Sequence, residues 1–441
     1  MLIKDLRIDD FRRFDKLEID FHPELTVIVA RNGQGKTTVL DAVTIALGTF
    51  IGAFDSGKAK HIEYADARYM RLPDSSESAR QFPVMVEANF LKPELHVFRA
   101  LTGPKNKTTI KDAHAITDYG KHLMQMVRDL KKEPLPVIAY YGAGRLWKVH
   151  KNVKKKQVLS LSRTLGYEEC LSPSSNFAQV QSWMKLATLA SFQQQELPRE
   201  ARGGDLKIRI STIANAVNQV LKGEGFSNFH YNILHEELAM YHPDHGILPV
   251  SYLSDGVRAM ISLVADLAFR CVRLNGFLED KAVTESQGIV LIDEVDIHLH
   301  PGWQQLVIQQ LRDAFPKIQF IVTTHSPQLL TTVKRENIRL LVNNNSSRCE
   351  AEIPKEEIIG LESACALIDM MNVNPIPPVD EANWISEYTA KIENGTHEDK
   401  DGKDLRNKLL ELYGSGHSVI LDADKLIRFQ KFKMRNQAAK D

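Results

Sequence analysis

Residues 30–38, Ala30-Arg31-Asn32-Gly33-Gln34-Gly35-Lys36-Thr37-Thr38, combine glycines, a lysine and paired hydroxyls at the spacing that cradles phosphate. Gly33 and Gly35 let the backbone curl until successive N–H groups face one anion. Lys36 can reach the terminal phosphates and Thr37 can hold Mg²⁺, with Asn32 and Thr38 belonging to the same cradle. The apolar run Leu25 to Ala30 reads as a buried strand and Lys36 to about Phe50 as a helix, the context that such a loop requires. Ala30 stands where a first loop glycine is usual; it tightens the turn but removes no donor.

Three further motifs downstream complete this one. Gly288-Ile289-Val290-Leu291-Ile292-Asp293-Glu294 is an apolar run ending in paired acids, a buried strand that delivers carboxylates to a sheet edge where ligands bind. Asp293 suits Mg²⁺, directly or through water, and Glu294 suits the base that orients or deprotonates an attacking water. Ile318 to Thr324 is another parallel-type strand and ends in His325, placed to donate to a γ-phosphate. Leu253-Ser254-Asp255-Gly256-Val257-Arg258 precedes a long apolar helix, Val257 to about Leu274. Ser254 and Asp255 suit its N-cap, and free N–H groups with the helix dipole attract phosphate there.

Taken in chain order, the four motifs resemble the Walker A, signature, Walker B and switch-histidine set of the ABC-type ATPases, with Asp255 replacing a signature glycine. The opening Leu2–Phe14 and Leu17–Phe21 segments are similar to the N-terminal hairpin of the RecF, Rad50, SMC and OLD-type members. That resemblance implies that Arg12 or Arg13 helps hold the nucleotide, and that the cofactors are ATP and Mg²⁺. Asp293 to Pro301 also resembles the acid-plus-HLHP stretch of OLD-like and stand-alone defence ATPases. His298 and His300 with Asp296 and Asp293 could suggest a metal cluster, but a tight turn after the strand is the better reading, with Pro301 in the first turn of the next helix.

The elements that must position these residues imply an α/β fold: a P-loop ABC-type ATPase head, a mixed sheet flanked by helices. Residues 1–145 and 237–345 form the head, 146–236 an inserted helical lobe and 346–441 a helical C-terminal interaction region. Strands are expected at 82–91 and 96–102, a helix near 117–131, helices at 176–195 and 206–221, and strands at 228–241 and 246–252. The inserted span carries no sustained heptads, which argues against a coiled-coil arm. By position, Tyr140 to Arg145 occupies the place of the ABC Q-loop and contains no glutamine, so slow turnover is expected.

Composition bounds the partners. With 441 residues, 43% hydrophobic and 25% charged, the chain matches a large globular protein. Lysine plus arginine equals aspartate plus glutamate at 56 each, so non-specific DNA contact must come from a local patch. The densest basic run is Trp147 to Lys156. Four cysteines without CxxC spacing, and an N-terminus that opens directly on a charged alternating strand, suggest a cytoplasmic protein with reduced thiols. Apolar runs are too short to span a membrane.

Beyond residue 345 come a proline-rich hinge (Asn374 to Pro378), charged helices near 382–392 and 402–412, and a basic tail. Val419 to Asp424 imitates the DxD strand of a Toprim nuclease, yet too few residues remain for such a domain. A capped amphipathic helix is the better reading. The layout resembles the PtuA-like ATPase subunits of Septu-type anti-phage systems, also found with retrons. That resemblance implies head-to-head homo-oligomers and a partner HNH-type nuclease, with no nuclease activity in this chain. A RecF-like repair clamp and an OLD-type nuclease are the alternatives; a transporter ATPase is disfavoured by the hairpin and the HLHP stretch.

Overall fold

A computed structural model describes residues 1–71, 78–144, 162–174, 177–196, 206–343 and 349–438. Arg145 and the basic run 147–156 lie outside the described residues. The chain forms two compact units, Met1–Met371 and Asn372–Asp441.

In the first unit, β1 (Leu2–Phe11) and β2 (Phe14–Asp20) make a hairpin, followed by β3 (Leu25–Val29) and α1 (Lys36–Ile51). A small hairpin, β4 (Tyr69–Arg71) and β5 (Ser78–Arg80), leads to β6 (Val84–Leu91), β7 (Leu95–Leu101), α2 (His114–Arg128) and β8 (Val137–Tyr141). Then come α3 (Phe177–Glu196), α4 (Leu206–Leu221), strands β9 (Ser227–Asn232), β10 (Glu237–His242) and β11 (Gly246–Pro249), and α5 (Asp255–Leu274). The unit closes with α6 (Ala282–Glu285), β12 (Gly288–Ile292), α7 (Pro301–Gln304), α8 (Val307–Ala314), β13 (Ile318–Thr324) and α9 (Pro327–Leu330). Last are β14 (Ile338–Asn343), β15 (Cys349–Glu352) and α10 (Ser363–Asp369).

The central sheet runs β15-β14-β3-β13-β12-β8, parallel throughout except for β15 at its edge. Strands β3, β13, β12 and β8 are buried along their whole lengths, which explains why they read as continuous Val/Ile/Leu runs rather than as alternation. A second sheet, β2-β1-β6-β7, is antiparallel, and its strands alternate buried and accessible positions. Buried Gln319 stitches the two sheets together: its amide accepts from the Ile3 N–H at 2.8 Å and donates to the Ile3 carbonyl at 2.8 Å and the His22 carbonyl at 3.0 Å.

The helices of the span expected as an inserted lobe pack into the core of the head. Val180, Trp183 and Met184 of α3 and Ile213 and Val217 of α4 belong to the same buried cluster as α5 and the central strands. The first unit also extends past the expected boundary at 345, because β15 pairs with β14 and Ile358 and Ala366 are fully buried.

Helix α5 is buried all round and carries an ion pair inside the core. Arg270 donates to Asp266 at 2.8 Å and to the carbonyls of Gly166 and Glu168, while the Tyr141 hydroxyl donates to Asp266 at 2.8 Å. Burial, then the Asp266 charge, pushes the Tyr141 phenol well above its ordinary range, so it remains a donor.

In the second unit, α11 (Asp380–Glu393), α12 (Lys400–Tyr413) and α13 (Ser418–Ala438) form a small bundle. Tyr388 and Ile392 pack with Leu405, Leu409 and Ile420, and Trp384 and Ile385 lie against that core. Residues 419–424, the strand-like imitation, lie inside α13, where Asp422 pairs with Lys425 and Asp424 with Arg406, each at 2.7 Å. Among the described residues, no helix is long and apolar enough to cross a membrane.

Removing one partner of a buried ion pair leaves an uncompensated charge, at a cost of about 3–5 kcal/mol. Arg270→Met is therefore expected to lower the unfolding free energy of the first unit by about that amount, measured by urea denaturation, whereas exposed Lys121→Met should change it by less than about 0.5 kcal/mol.

Candidate nucleotide site

The loop after β3 and the start of α1 form a helix N-terminus with no side-chain cap, so its first-turn N–H groups are left for an incoming anion. Gly33 and Gly35 both have left-handed backbones, φ +74° and +96°. Gly35 has a second constraint: a Cβ there would sit 2.4 Å from the Phe14 ring. The β1–β2 turn thus packs directly on the loop, and Arg13 in that turn donates to the Gly33 carbonyl. Arg12 points elsewhere, donating to Asp41 of α1 at 2.6 Å and to Asp66 at 2.8 Å. The β1–β2 turn, with Arg12 at φ +53°, thus sets Arg13 on the loop and Arg12 on α1 and Asp66.

Lys36 is 7% exposed, and its ammonium donates to the Ala30 carbonyl at 3.0 Å and meets His325 Nε2 at 2.5 Å. For His325 to accept from an ammonium, Nε2 must be its unprotonated nitrogen. The electrostatics agree: burial first, then Lys36, lowers the His325 pKa against the pull of nearby carboxylates. Burial likewise lowers the Lys36 pKa, opposed by Asp293, Glu294 and Asp296.

Asp293, 4% exposed, accepts from Thr37 Oγ1 at 2.7 Å and from Thr323 Oγ1 at 2.6 Å. A hydroxyl and a carboxylate meeting at the loop are hard oxygen ligands of the kind Mg²⁺ takes, and so the residues present fit that ion. Glu294 follows at φ +49°, with its N–H held by Thr323 Oγ1 at 2.8 Å. A non-glycine residue in that region costs on the order of 1–3 kcal/mol, a strain that clusters at functional sites. It turns the chain away from the line of β12 directly after Asp293. His298 is a second left-handed residue in the same turn, and His300 Nδ1 accepts from Gly302 N–H at 3.3 Å with Pro301 opening α7.

With this geometry in place, comparison with known proteins is informative. A family described as "AAA domain" matches residues 5–223, and one described as "AAA ATPase domain" matches residues 176–330. The retron Vc95 probable ATPase of Vibrio cholerae serotype O1 biovar El Tor is 24% identical over 92% of this chain and 86% of its own length. The chain is an ABC-type ATPase. It is similar as well to the retron Ec83 probable ATPase of Escherichia coli, 24% identical over 95% of this chain and 85% of that protein. The Septu protein PtuA of Bacillus mycoides strain KBAB4 is 29% identical over 35% of this chain and 21% of that protein.

In this ATPase the signature residues sit apart from the loop residues in sequence but are fixed by the same acid-bearing turn. Ser254 precedes α5 with an extended backbone and caps nothing with its side chain. Gly256, in the first turn of α5, lies so close to the turn after Glu294 that a Cβ would fall 2.4 Å from the His298 carbonyl oxygen. Ser254 is exposed at the surface of the chain. At the Q-loop position, Tyr140 and Tyr141 are buried, and the Tyr141 carbonyl accepts from the Asp293 N–H at 2.7 Å. The Tyr141–Asp266–Arg270 set was not legible in the sequence, since each residue alone reads as an ordinary strand or helix position.

The His325 pKa is lowered in this state by burial first and then by Lys36, which favours the neutral imidazole, and an adjacent phosphate would raise it. Binding of Mg·ATP near pH 6.5 should therefore take up more protons in the parent than in His325→Ala. Calorimetry in two buffers of different ionisation enthalpy reads that difference; equal proton counts would remove the histidine from the phosphate site.

Proposed function

We propose that this chain is the ATP-binding and ATP-hydrolysing subunit of an anti-phage defence complex, acting in the cytoplasm, and that its nucleotide cycle controls a partner HNH-type nuclease. The observation that carries the ATPase half is the convergence of Lys36, Thr37, Asp293 and His325 at the ends of adjacent parallel strands. The near full-length similarity to the retron ATPases supports the defence half.

Mg·ATP, when bound, supplies the phosphoanhydride and the metal charge. Asn32, Gly33, Gly35 and Thr38 form the cradle around the phosphates, which the loop N–H groups and Lys36 would neutralise, with Arg13 steadying the loop from the hairpin. Thr37 and Asp293 would hold the Mg²⁺. Glu294 would orient the attacking water and take its proton, and His325, once protonated, would donate to the terminal phosphate. Exposed Ser254 and the start of α5, with Gly256, would complete the site of a second protomer, which gives head-to-head dimers with two-fold symmetry.

Glu294→Gln keeps the side-chain shape but not the base. This variant should bind Mg·ATP, lose turnover by about 10²-fold or more, and accumulate as dimers in light scattering. Turnover at the parent rate would remove Glu294 as the catalytic carboxylate.

The apolar stripe at Trp384, Ile385, Tyr388 and Ile392 is covered within the second unit's own core rather than left free for a partner. Leu421, Phe429 and Phe432 of α13 are 44%, 61% and 62% exposed and lie at i, i+8 and i+11, on one face. They are the better candidate contact. Deleting residues 379–441 should leave ATP affinity within about twofold of the parent, while co-purification with the nuclease encoded beside it is lost. Retained co-purification would move the contact to the head. DNA cleavage by the purified chain, lost in Asp422→Ala/Asp424→Ala, would favour a nuclease acting alone.

A further inference from the structure

A cavity of about 230 Å³ opens at the carboxyl end of α5, lined among others by Lys131, Lys132, Arg163, Arg209, Arg273 and Phe277, with no acidic residue in its wall. Its lining shares no residue with the phosphate loop, the acid-bearing turn or His325, and the 20 residues of α5 put it about 30 Å from Ser254 by helical rise. It is therefore separate from the nucleotide site.

The cationic wall is built rather than accidental. Arg163 donates to the carbonyls of Leu274 at 2.7 Å, Lys131 at 3.1 Å and Glu133 at 2.6 Å, tying the segment after α2 to the end of α5. Its guanidinium also lies 5.1 Å from the Phe277 ring centroid. Gly276 allows Arg209 to lie against the backbone: a Cβ there would be 3.1 Å from the guanidinium. Arg273 is 6% exposed, and its pKa is lowered to about 10, by burial first and by Arg209 second, against the pull of Glu168. Among the described residues, no ion pair joins Lys131, Lys132, Arg163 or Arg209 to a carboxylate; Glu133 acts on Arg163 only at longer range, pulling its pKa up against burial.

Neutralising the end of α5 accounts for Arg163, which takes the Leu274 carbonyl. It does not account for Arg209 or the two lysines. Like charges gathered around one cavity repel unless an anion joins them, and guanidinium groups recognise phosphate through paired charge-assisted hydrogen bonds. The volume is below the ~300–1,000 Å³ of pockets that enclose whole drug-sized ligands. It suits a cluster of phosphates rather than a base and sugar.

We propose that this cavity binds a phosphate cluster, as a free oligophosphate or as the backbone of a nucleic acid, at a site independent of the P-loop. The probe is inorganic tripolyphosphate, titrated by calorimetry at low salt into the full-length Lys36→Ala chain, in which the P-loop is disabled. Tripolyphosphate should still bind, with Arg209→Gln added lowering affinity about tenfold and exposed Lys132→Gln lowering it severalfold. The thermal transition of each variant checks its fold; the exposed lysine keeps the test decisive if Arg209→Gln does not fold. No binding to the Lys36→Ala chain, or affinity unchanged by both substitutions, overturns the proposal. A short oligothymidylate then distinguishes the source. Competition with tripolyphosphate that shows the same Arg209 dependence assigns the site to nucleic-acid backbone; oligothymidylate that does not displace tripolyphosphate assigns it to a free oligophosphate.

Discussion

The carboxylate of Asp293 is the point on which the head depends. Its two oxygens accept from Thr37 at the start of α1 and from Thr323 in β13, and its N–H donates to the Tyr141 carbonyl in β8. Three neighbouring strands and the phosphate loop are thus registered on one residue. Buried carboxylates need such partners, because an unpaired charge in this interior would be costly. The same arrangement brings Lys36 and His325 together, since β13 lies between the loop strand β3 and the acid strand β12. Chemistry that needs a cation, a base and a metal ligand within a few ångströms follows from that strand order.

Helix α5 links this centre to the far side of the head. Its first turn touches the acid-bearing turn through Gly256, and its middle holds the Asp266–Arg270 pair that receives the Tyr141 hydroxyl. Tyr141 therefore contacts α5 through its side chain and Asp293 through its backbone. A mostly buried helix is thus joined at two points to the edge of the sheet that carries Asp293.

Much of the site could be read from the sequence because its signals are local. Gly33, Gly35, Lys36 and Thr37 announce a phosphate loop through backbone needs and side-chain chemistry within a few residues. Asp293 and Glu294 are marked by the apolar strand they terminate. The helix at Leu206–Leu221 and the nearly matching Phe177–Glu196 are legible from apolar spacing. What the sequence concealed is long-range. Which of Arg12 and Arg13 touches the loop depends on a turn pressed against it, and Gln319 stitches two sheets across more than three hundred residues of chain. The stripe at Trp384 to Ile392 was visible as amphipathic, but what covers it is decided by α12 and α13. Periodicity identifies a buried face and says nothing of its neighbour.

The central claim is that the loop, the acid strand and His325 form one Mg·ATP site. A crystal structure of the Glu294→Gln chain grown with Mg·ATP tests it most directly. The account predicts the terminal phosphate between Lys36 and His325, the metal on Thr37 and on Asp293 directly or through a water, and the Lys36 contact to the Ala30 carbonyl released. Nucleotide bound elsewhere, or Lys36 still on that carbonyl with His325 facing away from the phosphate, would contradict it.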